Sequence, residues 1–206
     1  SHYKNFVSFG KCFDVHQDSL EDLSSWANQD LRPCLFLDRD GVIIEDTSYP
    51  HKSSDLKILP GIIPILEWAL IRKWYIIVVT NQAGIAKEKF SLDSYFQFEE
   101  EIEKKLMLFG VKLDQTYFCP FHQSGTSTAY KRVSFDRKPN PGLVLRALSD
   151  YPIDLSKSIM IGDKSSDKLE HLCLHTILIR GKYPIKESTE YQIASDHFEA
   201  FDMIKE

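Results

Sequence analysis

Five short apolar runs recur along the chain, at residues 35–38, 76–80, 115–119, 158–162 and 176–180, and helix-periodic segments lie between them. This rhythm constrains the fold more than any other feature. The first run, continued back to Cys34 as Cys34-Leu35-Phe36-Leu37, is unbroken apolar sequence of the kind found in buried strands, and the others are apolar, β-branched or aromatic. Strands separated by helices pair in parallel, because a parallel pair needs a long crossover. The segment 61–72 carries Ile62, Ile65, Leu66, Ala69 and Leu70 on one face. The segment 92–109 carries Phe96, Phe98, Ile102, Leu106 and Phe109 above a Glu-rich face, and 141–151 opens on Pro-Gly and carries Leu143, Val144, Ala147 and Leu148. The expected architecture is α/β, a three-layer α/β/α sandwich around a parallel sheet of about five strands. With 206 residues and 43% apolar residues the chain can bury the core this requires.

Two regions fall outside the rhythm. Residues 1–33 precede the first strand, include an amphipathic stretch at 20–27, and are expected to form an N-terminal extension, a docked arm or a small accessory element, ahead of a domain spanning 34–206. Residues 119–140 form a long connection rich in Ser, Thr and Gly, the kind that is usually functional when it interrupts a compact domain. The four cysteines (Cys12, Cys34, Cys119, Cys173) are scattered. Cys34 and Cys173 lie in apolar patterns and are expected to be reduced core residues, in keeping with a cytoplasmic protein. The opening Ser-His-Tyr-Lys-Asn does not resemble a signal peptide, and no apolar run has membrane-spanning length. A net charge of −5 disfavours nonspecific nucleic-acid or membrane-surface binding.

Chemistry-bearing residues collect where the apolar runs end. Asp38 and Asp40 follow the first run two residues apart, so both can point into the crevice outside the strand's carboxyl end. Two carboxylates there repel unless a cation or proton lies between them. A solvated Asp-x-Asp-Gly turn is the plainer alternative. The second run ends in Thr80-Asn81-Gln82-Ala83-Gly84, a junction suited to phosphate or to a helix cap. Arg137 and Lys138 precede a Pro-initiated helix, where cations oppose the dipole unless an anion binds. The fourth run ends in Gly162-Asp163-Lys164-Ser165-Ser166-Asp167, a second carboxylate cluster or an N-cap with an acid in its first turn. Four such junctions in one chain are improbable as unrelated caps and turns. Together they supply the parts of magnesium-dependent phosphoryl transfer: a carboxylate nucleophile, a proton-handling carboxylate, a metal-holding carboxylate, and a hydroxyl and lysine for the equatorial oxygens.

Here the chain resembles the haloacid dehalogenase (HAD) superfamily of aspartyl-phosphate-forming phosphatases. The likeness is carried by Asp38-Arg39-Asp40-Gly41, Thr80, Lys138 and Gly162-Asp163-Lys164-Ser165-Ser166-Asp167, and covers residues 34–180. Phe-Leu-Asp-Arg-Asp-Gly-Val-Ile, Thr-Asn-Gln-Ala-Gly-Ile-Ala, Cys-Pro-Phe-His and Arg-Lys-Pro-Asn-Pro-Gly are similar to the heptose 1,7-bisphosphate phosphatase and histidinol-phosphatase branch. The resemblance implies a Rossmann-like HAD fold with little or no cap domain. It implies Asp38 as nucleophile, Asp40 as acid/base, and Thr80 and Lys138 as holders of the transferring group. Magnesium would be bound by Asp38, the Asp40 backbone carbonyl and Asp163. Substrate contacts would come from Arg39, Asp46, Thr47, Ser48, Tyr49, Asn81, Gln82, Ala83, Arg137 and Lys164. The substrate would be a small phosphorylated sugar of the heptose bisphosphate kind, handled by a monomer or weak homo-oligomer in the cytoplasm, with no nucleic-acid or membrane partner. Histidinol phosphate or another phosphomonoester, and a catalytically silent HAD-fold regulator, are the alternatives; the complete catalytic set argues against the last.

The chain departs from this branch in one loop. The branch commonly holds a structural zinc through Cys-x-His and Cys-x-Cys before Arg-Lys-Pro. Here Phe121 stands at the histidine position, and Ser134 and Asp136 replace the last two cysteines. Cys119, His122 and Asp136 remain as a weakened ligand set, and the expectation is that the zinc site is lost.

Overall fold

The computed structural model describes residues 30–205. Its strands are β1 Cys34–Leu37, β2 Tyr75–Asn81, β3 Gln115–Cys119, β4 Ile159–Gly162, β5 His175–Ile179 and β6 Gln192–Ala194. The helices are α1 Ile62–Ile71, the single turn α2 Ala83–Ala86, α3 Leu92–Met107, α4 Gly142–Asp150 and α5 His197–Lys205. The strands form one sheet, every neighbouring pair parallel, in the order β3-β2-β1-β4-β5-β6. The sixth strand corrects the expectation of about five. It has three residues, begins on a glutamine, and pairs Ile177 with Gln192 at the sheet edge, too short and polar to stand out as an apolar run.

The period of two along each strand divides the core into two layers. Leu35, Leu37, Ile76, Val78, Ile161 and Ile177 face one side, packed with Ile65, Leu66 and Ala69 of α1, Phe98, Ile102 and Leu106 of α3, and Ala200 and Ile204 of α5. Cys34, Phe36, Ile77, Val79 and Met160 face the other, against Leu143, Val144 and Ala147 of α4. All four residues of β1 are fully buried, which is why that run reads as unbroken apolar sequence. Ser91 caps α3 by accepting the Ser94 amide at 3.1 Å, and Lys104 and Lys105 close its last turn.

Several apolar residues expected in the core lie elsewhere. Phe96 and Phe98 are two positions apart on a helix and cannot share a face, so Phe98 is buried and Phe96 is 43% exposed. Phe109 lies beyond the end of α3 and is exposed, and Leu70 is at the rim of α1. Cys173 is exposed because the chain turns at His171 in a left-handed conformation (φ 62°), and Leu174 enters the core instead. Cys34, Cys119 and Cys173 are free thiols. The amphipathic stretch at 20–27 lies outside the described residues. Among the described residues no helix is long and apolar enough to cross a membrane.

Candidate active site

The strand order reverses around β1, with β2 on one side and β4 on the other, and this is where an open α/β sheet forms its ligand crevice. Asp38 follows β1, Thr80 and Asn81 end β2, and Asp163 follows β4. Lys138 arrives from the loop before α4. Its backbone amide donates to Asn81 Oδ1 and its carbonyl accepts from Asn81 Nδ2, both at 3.0 Å. This two-way amide clamp aims Lys138 Nζ between Asp38 Oδ1 (3.0 Å) and Asp167 Oδ1 (2.6 Å). Asp38, Thr80, Asn81, Lys138 and Asp167 line a cavity of about 310 Å³ together with Asp40, Asp46, Ser48, Tyr49, Ala83 and Arg137, whereas Asp163 lies outside that lining and borders a neighbouring cavity with Gly41 and His197.

Burial alone would raise the Asp38 carboxyl, but the Lys138 and Lys164 ammonium groups outweigh it and hold the group below the usual carboxylate range. Asp38 is thereby kept ionised. Asp163 behaves oppositely: burial and the nearby Asp38 charge push it up to about 7. Asp38, Asp163 and Asp167 each bring one oxygen to within 4.8 Å of the others, all buried. Asp163 Oδ2 is buried with no hydrogen-bond partner. Lys164 Nζ lies 2.9 Å from Asp163 Oδ1, 3.4 Å from the Asp40 carbonyl and 3.8 Å from Asp38 Oδ2. The three groups implied as magnesium ligands therefore converge on one region of demand for positive charge. Their hard oxygen donors fit a small divalent cation.

Arg39 and Gln82, expected to touch substrate, do something else. Arg39 is 1% exposed and Gln82 3%, and neither lines the cavity. Arg39 Nε donates to Asp40 Oδ1 at 2.7 Å, and its terminal nitrogens donate to Asp40 Oδ2, Gln82 Oε1, the Pro50 carbonyl and Glu99. Gln82 Nε2 donates to Asp40 Oδ2 at 3.2 Å and to Thr80 Oγ1 at 3.0 Å. Both side chains hold other site residues in place. Thr47 is exposed outside the cavity, because its loop turns there: Ser48 and Tyr49 both adopt left-handed backbone conformations, φ 68° and 67°. Such conformations are costly for non-glycine residues and collect at functional sites.

That loop is strapped from the far end of the chain, by residues the sequence did not single out. Asp46 accepts from the Ser48 amide (2.8 Å), Tyr183 Oη (2.9 Å) and Lys182 Nζ (3.3 Å), and Lys182 also donates to Ser48 Oγ. Burial would raise the Asp46 carboxyl, but the Ser48 amide and the Lys164 charge hold it low. Asp167, Ser166, Lys87 and Tyr183 likewise line the cavity. A basic residue just after the fifth apolar run was the one visible hint of this strap. The weakened zinc set is not assembled. Asp136 engages Arg146 through both oxygens (3.0 and 2.8 Å), His122 Nδ1 accepts the Ser124 amide, and Cys119 Sγ points to the Phe121 carbonyl. Phe121 lies beneath the Arg132 guanidinium, 3.6 Å from its ring centre. Among the described residues, Asp38, Asp163 and Asp167 are the one group of carboxylate, His or Cys side chains with metal-site spacing.

A HAD-hydrolase-like family model matches residues 135–197. A D-glycero-β-D-manno-heptose-1,7-bisphosphate 7-phosphatase of Rhodopseudomonas palustris is 36% identical over 136 residues, 66% of this chain and 76% of that protein. The Vibrio cholerae protein of the same name is 38% identical over 163 residues, 77% and 87% of the two chains. Among solved structures, a HAD-like protein of Mesorhizobium loti superposes with a TM-score of 0.76 at 28% identity, covering 86% of each chain. The D,D-heptose 1,7-bisphosphate phosphatase of B. bronchiseptica, solved with magnesium and phosphate, has the same fold (TM-score 0.68, 21% identity, covering 84% of this chain and 98% of that one). The chain belongs to the HAD-like hydrolases, in the family of the heptose-1,7-bisphosphate 7-phosphatases.

Proposed function

We propose that the protein is a magnesium-dependent phosphomonoesterase that removes one phosphate from a small sugar bisphosphate of the heptose kind, through an aspartyl-phosphate on Asp38. The observation that carries this reading is Asp38 itself: a buried carboxylate held ionised by Lys138, on the floor of a cavity it shares with Asp40 and Thr80. An Asp38 oxygen attacks phosphorus as the bond to the sugar oxygen breaks, and Asp40 gives that oxygen its proton. Water then attacks the phosphoaspartate, Asp40 takes its proton, and phosphate leaves with Asp38 restored. Thr80 and Lys138 hold the equatorial oxygens throughout. When bound by Asp38, Asp163 and the Asp40 carbonyl, magnesium supplies charge neutralisation to the transferring group. The donor set above and the magnesium held by the like-folded B. bronchiseptica enzyme support that assignment.

The cavity also suits a second anion. Arg137 and Lys87 line it, and among the described residues no carboxylate lies within ion-pair distance of either. Burial and the charges of these two cations hold His122 below its ordinary value. A second phosphate at this end of the cavity would supply the missing counter-charge, in keeping with the bisphosphate named for the relatives. A free metabolite and free thiols suit the cytoplasm. The test is phosphate release from heptose 1,7-bisphosphate by the wild type and Asp38→Asn in magnesium. Turnover in the variant is expected to fall by at least about a thousandfold with the fold intact. A variant that still turns over at a tenth of the wild-type rate would sink the covalent mechanism.

A further inference from the structure

Helix α3 presents a run of glutamates, and one of them behaves unlike its neighbours. Glu100 pairs with Lys104 at the surface, whereas Glu99 is 9% exposed and its carboxylate meets Arg39. Buried ion pairs are weak devices for stability, since desolvation consumes most of their attraction. This pair is also not isolated. The Arg39 guanidinium is seated against the rings of Tyr95 and Phe98, also from α3, at 5.6 and 5.3 Å. One edge of its fork reaches Glu99, and the other grips both oxygens of Asp40, at 2.7 and 3.1 Å. A planar fork held at both ends has one orientation, and a carboxylate held by it in two-point fashion has one plane. Gln82 extends the same lattice from Asp40 to Thr80.

We propose that Glu99 is a positioning residue: acting through Arg39, it fixes the carboxylate plane of Asp40 so that its proton meets the leaving oxygen. Glu99 touches neither substrate nor the reacting atoms, and it lies 60 residues from Arg39 in sequence. Without its charge, the buried Arg39 keeps the Tyr95 and Phe98 rings, the Pro50 carbonyl and Gln82 but loses its carboxylate partner on α3, and the fork and the carboxylate it carries are held less firmly. The assignment rests on the reading of Asp40 as the acid.

A misplaced general acid costs most when the leaving group is a poor one. An alkyl oxygen needs the proton, and a p-nitrophenolate does not. Glu99→Gln and Asp40→Asn are therefore compared with wild type in single turnovers in magnesium, reading alcohol release from a sugar phosphate and from p-nitrophenyl phosphate. For Glu99→Gln the sugar-phosphate rate is expected to fall roughly tenfold to hundredfold, with KM within about twofold and the p-nitrophenyl phosphate rate within about threefold. An equal fall on both substrates, no fall, or an effect on KM alone, while Asp40→Asn keeps the leaving-group pattern, overturns the role of Glu99 only. If Asp40→Asn itself lacks the pattern, the acid assignment fails and takes the Glu99 proposal with it. Should Glu99→Gln not fold, Glu99→Asp keeps the charge and withdraws it by one methylene, and the same two rates decide.

Discussion

Gly41 follows the two aspartates with a φ of +93°, in the left-handed region, and a Cβ placed there would lie 2.2 Å from Asp163 Oδ2. The backbone of the first motif and the carboxylate of the last are therefore in direct contact, with no room for a side chain between them. Gly41→Ala would force Asp163 to turn away and also strain the turn. Its expected effect is a loss of roughly tenfold or more in magnesium affinity, read by titration calorimetry on folded protein. Unchanged affinity would mean that Asp163 is not part of the cation site. Asp38, Asp163 and Lys138 were legible as single residues because each follows an apolar strand or precedes a Pro-initiated helix. The duties of Arg39 and Gln82 were not, because a cation and an amide beside a catalytic motif read the same whether they face the cavity or the core.

At the scale of elements, the loop joining β3 to α4 is held by side-chain contacts. Asp136 and Arg146 form a two-bond ion pair that ties the loop to α4, and Arg132 covers Phe121. Arg146→Met is expected to lower stability by about 1 kcal/mol, since the pair is partly exposed. In a chain of this size that corresponds to a fall in Tm of about 2–4 °C. Elemental analysis of the wild type should find no stoichiometric zinc; one zinc per chain, lost in Cys119→Ser, would show that the ligands reassemble. The missing cysteines could be seen in the sequence. The pairing of Asp136 with Arg146 could not, because the two become partners only when α4 docks. The strand runs and the cores of α1 and α4 were legible from periodicity, and the errors at Phe96 and Phe109 came from counting two registers of α3 as one and from carrying the helix past Met107.

Across the whole molecule, the last helix returns to the first motif. The His197 ring lies 2.7 Å from the Val42 carbonyl through Nε2, and its Cβ sits where a Cβ on Gly61 would collide, at 2.4 Å. Burial lowers the affinity of His197 for a second proton, although the Val42 carbonyl partly opposes it. A histidine whose folded value is depressed contributes stability above its ordinary value of 6.5, and that contribution is lost as pH falls below it, because the unfolded chain takes up the proton first. Urea midpoints measured between about pH 5.5 and about pH 7.5 should fall less steeply toward acid in His197→Gln than in wild type. Parallel slopes in the two proteins would refute this. The layers, the parallel sheet and the four motifs could be read from the chain alone, since apolar runs and the residues at strand ends are local properties of each segment. How the aspartates of the opening motif are served emerges only once the segments pack together. The strand reversal set Asp163 beside Asp38, α3 brought Glu99 to Arg39, and the segment after β5 laid Lys182 and Tyr183 over Asp46. These partners lie 60 to 137 residues apart, and no periodicity within one segment can specify which distant side chain will satisfy a buried charge.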